Sequence, residues 1–307
     1  MPLPLPSDPP IALAPPAGIP RADDPLRGIL LVVAATVFFS LSDAVAKHVS
    51  VTLPVLEVAW MRYLVFVALT LAPAARHGCA TLRTRRPALQ TLRGVSIVVS
   101  AILFLYGLRV LPMADAAAIN FVSPLFITIL SVPLLGERVG PRRWIAVGIG
   151  LLGAVVAAQP GTSAFRPAAV LPVLSAAAWA IGIVLTRRMA SSETAGTTLA
   201  WSAASGLVVL TCLMPFVARL PSTGELAFCL FIGVAASGGQ WMVVLAYRLA
   251  PASLLAPFSY LQLIWSTLLG YLVFDSRPGA ATTIGATIIA GSGLYSAHRE
   301  RIRARHG

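Results

Sequence analysis

Residues 28–49 read GILLVVAATVFFSLSDAVAKHV. The stretch opens apolar on every side and then places Thr36, Ser40, Asp43 and Lys47 at steps of four, three and four, a single helical face. Its length matches the ~20 residues that a helix needs to cross the hydrocarbon core of a bilayer. Stretches of the same kind recur at 54–75, 89–111, 114–135, 142–159, 167–187, 194–217, 225–248, 252–274 and 279–297. Hydrophobic residues make up 57% of the 307-residue chain and charged residues 11%, against about 25% charged in a soluble domain. No soluble core of that size hides ten all-round apolar helices. The sequence therefore predicts an all-α membrane protein with ten transmembrane helices, short loops and no room for a soluble catalytic domain.

The formal net charge is +12, a value that in a soluble protein would point to nucleic acid. Here the basic residues follow the loops. With a cytoplasmic N-terminus, the inner segments hold Arg21 and Arg27, then Arg76, Arg83, Arg85 and Arg86, then Arg138, Arg142 and Arg143. Arg187, Arg188, Arg248 and the C-terminal Arg299, Arg301, Arg303 and Arg305 complete that side, against Lys47, Arg109, Arg166, Arg219 and Arg277 on the other. Cytoplasmic loops retain the excess of Lys and Arg, so both termini are expected inside, the bilayer is the expected partner, and no nucleic acid is. Residues 1–26, rich in proline and small residues, read as a disordered cytoplasmic tail and 299–307 as a basic one. Cys79, Cys212 and Cys229 form no CxxC pair and the four histidines are scattered, so neither a metal site nor a cofactor is expected.

The chain also aligns with itself. Shifted by 138 residues, Leu111–Pro112–Met113–Ala114 meets Leu249–Ala250–Pro251–Ala252, Gly136–Glu137–Arg138 meets Phe274–Asp275–Ser276, and Gly153 meets Gly291. A shift of 139 sets Thr36, Ser40, Asp43 and Lys47 on Ser175, Trp179, Gly182 and Thr186. Two five-span halves, 27–160 and 165–298, would enter the membrane in opposite senses because five is odd. That is an inverted-topology repeat, an arrangement on which many alternating-access carriers are built.

The segments APFSYLQLIWSTLLGYLVFDSRP (256–278) and GATIIAGSGLYSAHRE (285–300) resemble the last two spans of EamA-type carriers of the drug/metabolite transporter superfamily. VLPMADAAAINFVSPLFITILSVPLLGERV (110–139) is similar to their fourth span, with proline in mid-helix and Gly–Glu at its end. Asp275 stands where the family more often has Glu. The resemblance implies a ten-helix carrier of a small organic solute in the bacterial inner membrane, with helices one, three, four, six, eight and nine lining a central cavity. It leans to export. Uptake of a vitamin or nucleoside-like compound, of the riboflavin or S-adenosylmethionine type, is the second reading.

Polar side chains inside spans are costly and usually face protein or a water-filled path. Asp43 can pair with Lys47 one turn on, or with Arg62 of the second span, where Glu57 also lies. These charges form either a structural pair or a proton- or cation-binding group. In the fourth span Asn120, Ser123, Pro124 and Thr128 share nearly one face, and the proline removes a backbone donor beside Asn120. The ninth span mirrors this with Pro257, Tyr260, Gln262, Trp265 and Ser266, and the eighth offers Ser237, Gln240, Trp241 and Tyr247. The expected substrate site is thus Ser40, Asp43, Asn120, Ser123, Trp179, Gln240, Trp241, Tyr260, Gln262 and Trp265, an aromatic pocket with amides and one acid, suited to planar or cationic metabolites. The tryptophans also fit plain packing. Gly148, Gly150, Gly153, Gly285, Gly291 and Gly293 suit close packing within the monomer or a homodimer contact.

A phosphate loop ending in GK[ST] is absent, so ATP is not the direct energy source. Neither HExxH nor GxSxG occurs and no histidine falls in mid-span, which argues against a membrane-embedded enzyme. Reporter fusions after Arg86, Arg143 and Arg305 are predicted to read cytoplasmic and fusions near Arg166 and Arg277 external; an external C-terminus would break both the span count and the inverted repeat.

Overall fold

The computed structural model describes residues 24–77, 83–136, 140–159, 166–189, 192–216, 219–249, 255 and 258–306. Among these residues all regular structure is helical. In chain order it comprises α1 (Pro25–Val49), α2 (Val55–His77), α3 (Pro87–Val110), α4 (Met113–Asn120) and α5 (Ser123–Leu135). Then come α6 (Pro141–Ala158), α7 (Val170–Met189), α8 (Ala195–Leu213), α9 (Thr223–Leu249), α10 (Leu261–Phe274) and α11 (Ala280–His306). Six helical stretches of the described residues, beginning at Leu26, Pro87, Met113, Pro167, Gly196 and Thr223, are long and apolar enough to cross a membrane. Trp144–Ala158 and Leu261–Phe274 are shorter apolar helices.

Local chemistry sets the helix ends. Pro25, Pro87 and Pro141 open α1, α3 and α6, where the missing N–H costs nothing because the first turn has no acceptor for it. Asp24 caps α1 by accepting the Arg27 backbone N–H at 3.1 Å. The span expected at 114–135 is two helices rather than one, interrupted at Phe121 and Val122. Pro124 explains the break, since it cannot donate to the carbonyl four residues back, that of Asn120, and its ring would crowd it. Left-handed backbone ends both α5, at Gly136 (φ 70°), and α10, at Asp275 (φ 46°). Aspartate is one of the few side chains that tolerate this region.

The bundle is built of helix pairs: α1 packs on α9, α3 on α7, α2 on α8, and α6 on α11. Further contacts join α3 to α8, α2 to α9, α5 to α7, α1 to α10 and α4 to α10. Small residues allow close approach, which is how helices associate where lipid supplies no hydrophobic drive. Gly239 lies under the Phe39 ring, Gly206 under Tyr63 and Gly233 under Val65. In the α6–α11 pair, Gly153 and Gly285 bring the two backbones together, and the Ser292 hydroxyl donates to the Ala146 carbonyl at 2.6 Å. Gly150, Gly153, Gly285 and Gly293 thus pack within the monomer, while nothing lies within 4 Å of a Cβ added at Gly148 or Gly291.

A Cβ on Gly285 would stand 2.5 Å from the Gly153 carbonyl oxygen, a backbone atom that cannot swing away. Gly285→Val is expected to destabilise the protein by about 1–3 kcal/mol or more, as overpacking does, and to lower its melting temperature in detergent. Gly148→Ala, made into open space, is the control and should melt with the wild type.

Candidate functional site

The polar face of α1 meets α10 in the middle of the bundle. Asp43 is buried, and the Gln262 amide Nε2 reaches its Oδ2 at 3.5 Å. The Ser40 hydroxyl, one turn earlier, reaches the Gln262 backbone carbonyl, also at 3.5 Å. Both bonds are long, so the pair is held loosely. One turn further along α10, the Trp265 indole N–H is buried without a partner, and so is the Asn120 Oδ1 at the end of α4. The next residue, Phe121, sets its ring 5.3 Å from that of Tyr260 at the start of α10. The end of α4, the first turns of α10 and mid-α1, on helices that touch through α10, thus carry an orphan acceptor, an orphan donor and a carboxylate. A buried polar atom left unpaired costs about 1–3 kcal/mol, a cost that a solute or water with complementary groups removes.

Several expected residues stand elsewhere. Lys47 does not pair with Asp43; its ammonium donates to the carbonyls of Leu108 and Leu111, at 2.6 and 2.5 Å, and lies over the Phe274 ring. No ion pair joins Asp43 to Arg62 among the described residues. Glu57, in the first turn of α2, is buried and accepts the Arg219 backbone N–H at 3.2 Å. Among the described residues, then, Lys47 and Glu57 take backbone groups and Asp43 takes the Gln262 amide, each nearer than an opposite charge, while the Arg62 charge still acts on Asp43 at longer range. Trp241 lies with Leu230, Val234 and Leu245 on the exposed apolar stripe of α9, its own exposure being 48%. The Tyr260 hydroxyl is wedged against Gly293 of α11, so Tyr260 is fixed as a wedge between helices. Trp179 on α7, Gln240 on α9 and Ser123 at the start of α5 are half-buried.

The structure also assembles a cluster that sequence reasoning did not single out. Arg93 of α3 is buried; its Nε donates to the Thr186 hydroxyl of α7 at 2.6 Å, and its Nη1 to the Thr198 carbonyl at 3.3 Å and to the Ser202 hydroxyl of α8. Gln90, one turn earlier, donates to the Thr198 hydroxyl at 3.2 Å. The signal was present in the sequence: an amide and a guanidinium three residues apart inside a span share a face.

Polar ties join helix ends at both extremes, the start of α8 to the start of α3 and the start of α2 to the segment before α9. Glu193, just before α8, accepts the Arg85 backbone N–H at 2.8 Å and the Thr84 hydroxyl at 2.9 Å. Burial works to raise the Glu193 carboxyl, but these hydrogen bonds outweigh it and hold the group below its ordinary range. At the other extreme Glu57 takes the Arg219 N–H, and the Arg219 guanidinium pairs with Glu225 at 2.7 and 2.9 Å.

Residues 26–159 and again 166–296 match the EamA-like transporter family. The chain belongs to that family. It is similar to an S-adenosylmethionine uptake transporter of Rickettsia prowazekii, 30% identical over 278 residues, which cover 90% of this chain and 94% of that protein. It is also similar to a riboflavin transporter of Rhizobium johnstonii, 32% identical over 285 residues, covering 91% and 93%. A pseudopaline exporter of Pseudomonas aeruginosa is 29% identical over 266 residues, covering 85% and 93%. The EamA-like chain is thus a multi-pass membrane transporter of small molecules and not an enzyme.

In an EamA-like transporter an orphan N–H one turn along from the amide that reaches a buried acid is informative. Trp265→Phe deletes the unpaired donor and keeps an aromatic ring, smaller by the fused five-membered ring. Stability is predicted to fall by no more than about 1–2 kcal/mol, since the lost volume is offset by removal of a desolvated group and no hydrogen bond is broken, while transport falls. A larger loss of stability with transport unchanged would mean that Trp265 serves packing alone.

Proposed function

We propose that the protein is a secondary carrier in the bacterial inner membrane that takes up a small heteroaromatic metabolite by alternating access. Its two five-span halves, 27–160 and 165–298, would be inverted with respect to each other, with both termini, including the 1–26 and 299–307 tails, on the cytoplasmic side. The packing supports this division. Exchanging the halves turns the α1–α9 pair into the α3–α7 pair, the α2–α9 pair into the α3–α8 pair, and the α1–α10 pair into the α5–α7 pair. The α2–α8 and α6–α11 pairs map onto themselves. The two separate family matches and the basic loops point the same way.

The observation that carries the reading is the set of unpaired polar atoms on the helices packed around α10, which also holds Asp43 through Gln262. Trp265 Nε1 can donate and Asn120 Oδ1 can accept, while Asp43 and Gln262 hold each other at 3.5 Å. A solute with a planar, hydrogen-bonding edge would satisfy the first two, and a positive or proton-bearing group would suit the acid. Uptake is preferred to export because two relatives similar over most of their length carry names of uptake or vitamin transport; the exporter relative keeps the opposite direction as the second reading.

Purified protein in liposomes, offered S-adenosylmethionine, riboflavin and other heteroaromatic metabolites with and without a pH gradient, should give saturable flux of at least one. Gln262→Leu should lower that flux roughly tenfold or more at normal expression, the worth of one lost solute-binding interaction of about 1.4 kcal/mol. Unchanged flux in Gln262→Leu would remove the site from this position.

A further inference from the structure

Lys47 lies one turn beyond Asp43 on α1, about 6 Å along the axis at 1.5 Å per residue. Its ammonium does not use the acid. It donates to the carbonyls of Leu108 and Leu111, at 2.6 and 2.5 Å, where α3 ends. The last four carbonyls of a helix have no partner within it and carry the negative end of the helix dipole, so this is a ready receptor for a cation. The Phe274 ring, at the last residue of α10, stands 5.6 Å from the same ammonium. One side chain thus bridges α1 to the ends of α3 and α10, and Arg166 adds a second cation at the end of α3 by donating to the Val110 carbonyl at 3.3 Å.

The closure is one-sided. α1 packs on α3, but the equivalent pair in the other half, α7 and α9, has no comparable packing among the described residues. The residue of α7 that corresponds to Lys47, Thr186, has no charge; its hydroxyl accepts Arg93 Nε instead. Among the described residues this charged tie across three helix ends stands at one face, and a tie made by a single side chain is a part that can change between states.

We infer that Lys47 is the latch of the outer mouth. Seated on the α3 carbonyls it closes the route to Asp43 from outside, and its withdrawal opens that route. The inference rests on the alternating-access reading. The latch contributes no contact to the solute; it sets how often the site faces outward.

The test uses the full chain with Cys79, Cys212 and Cys229 replaced by serine and a Ser40→Cys reporter beside the acid. A membrane-impermeant maleimide is added from outside to right-side-out vesicles. Lys47→Met should raise the labelling rate about tenfold, the population shift that follows when one closing interaction is lost. Lys47→Arg, which still donates to carbonyls, should label at nearly the parental rate. Equal labelling with lysine and methionine would overturn the latch. Should Lys47→Met fail to reach the membrane, Lys47→Cys with Leu111→Cys, bridged by a short cleavable bis-thiol reagent, answers the same question. Flux that stops on bridging and returns on cleavage supports the latch, and flux that survives bridging overturns it. Lysine-dependent labelling in a protein that carries no solute would contradict the carrier reading and leave the latch standing.

Discussion

Asp43 and Lys47 sit one turn apart on α1, at a depth where hydrocarbon offers neither a partner. Burial of the pair is tolerable only because other helices deliver polar groups to them. α10 brings the Gln262 amide to the acid, and α3 ends where its carbonyls can take the ammonium. That requirement fixes the neighbours of α1 on two sides, and Gly239 under Phe39 fixes a third, against α9. The same requirement shapes the break in the fourth span. Pro124 strips one donor from the helix, and the break leaves Asn120 and Phe121 facing the start of α10. The site is thus the place where the bundle leaves polar groups only partly answered.

Much of the fold was legible because it is written along single helices. Length and uniform apolarity located most helices to within a few residues, and the step of four, three and four on α1 identified its polar face, but the span at 114–135 proved to be two helices and α11 runs on to His306, nine residues past the expected end. Gln262 and Asp43 were both visible as costly polar residues, and the structure brings them together. Partner choice was not legible. An Asp and a Lys four residues apart satisfy the local pairing rule, yet Lys47 prefers carbonyls of α3, more than sixty residues away in sequence. Glu57 and Arg62 share a helix with no clue that a loop amide at Arg219 would claim the carboxylate. Trp241 stands half exposed among apolar residues of α9, a setting that its neighbours in sequence did not announce. Periodicity reports a face; which face is inward depends on helices elsewhere in the chain.

The two self-paired contacts frame the molecule differently. α6 and α11 are joined by backbone approach at Gly153 and Gly285 and by the Ser292 bond, contacts with almost no polar side chains. α2 and α8 are joined by a polar tie, the Trp60 indole N–H donating to the Thr211 hydroxyl at 2.9 Å. Neither pair contributes to the Asp43 site, which lies among α1, α4, α5 and α10. A carrier needs such a division, since the helices that bear the solute must change partners while others keep theirs.

The central claim is that the two ends of the site open in alternation. It is tested most directly by measuring two distances in one sample of liposome-embedded protein, by pulsed electron spin resonance. One spin-label pair spans the outer mouth at Val51 and Val110, and the other spans the inner mouth at Arg188 and Leu249. Saturating solute is predicted to move the two distances in opposite senses, one lengthening as the other shortens. Distances that change together, or that stay fixed while solute is still transported, would contradict the account.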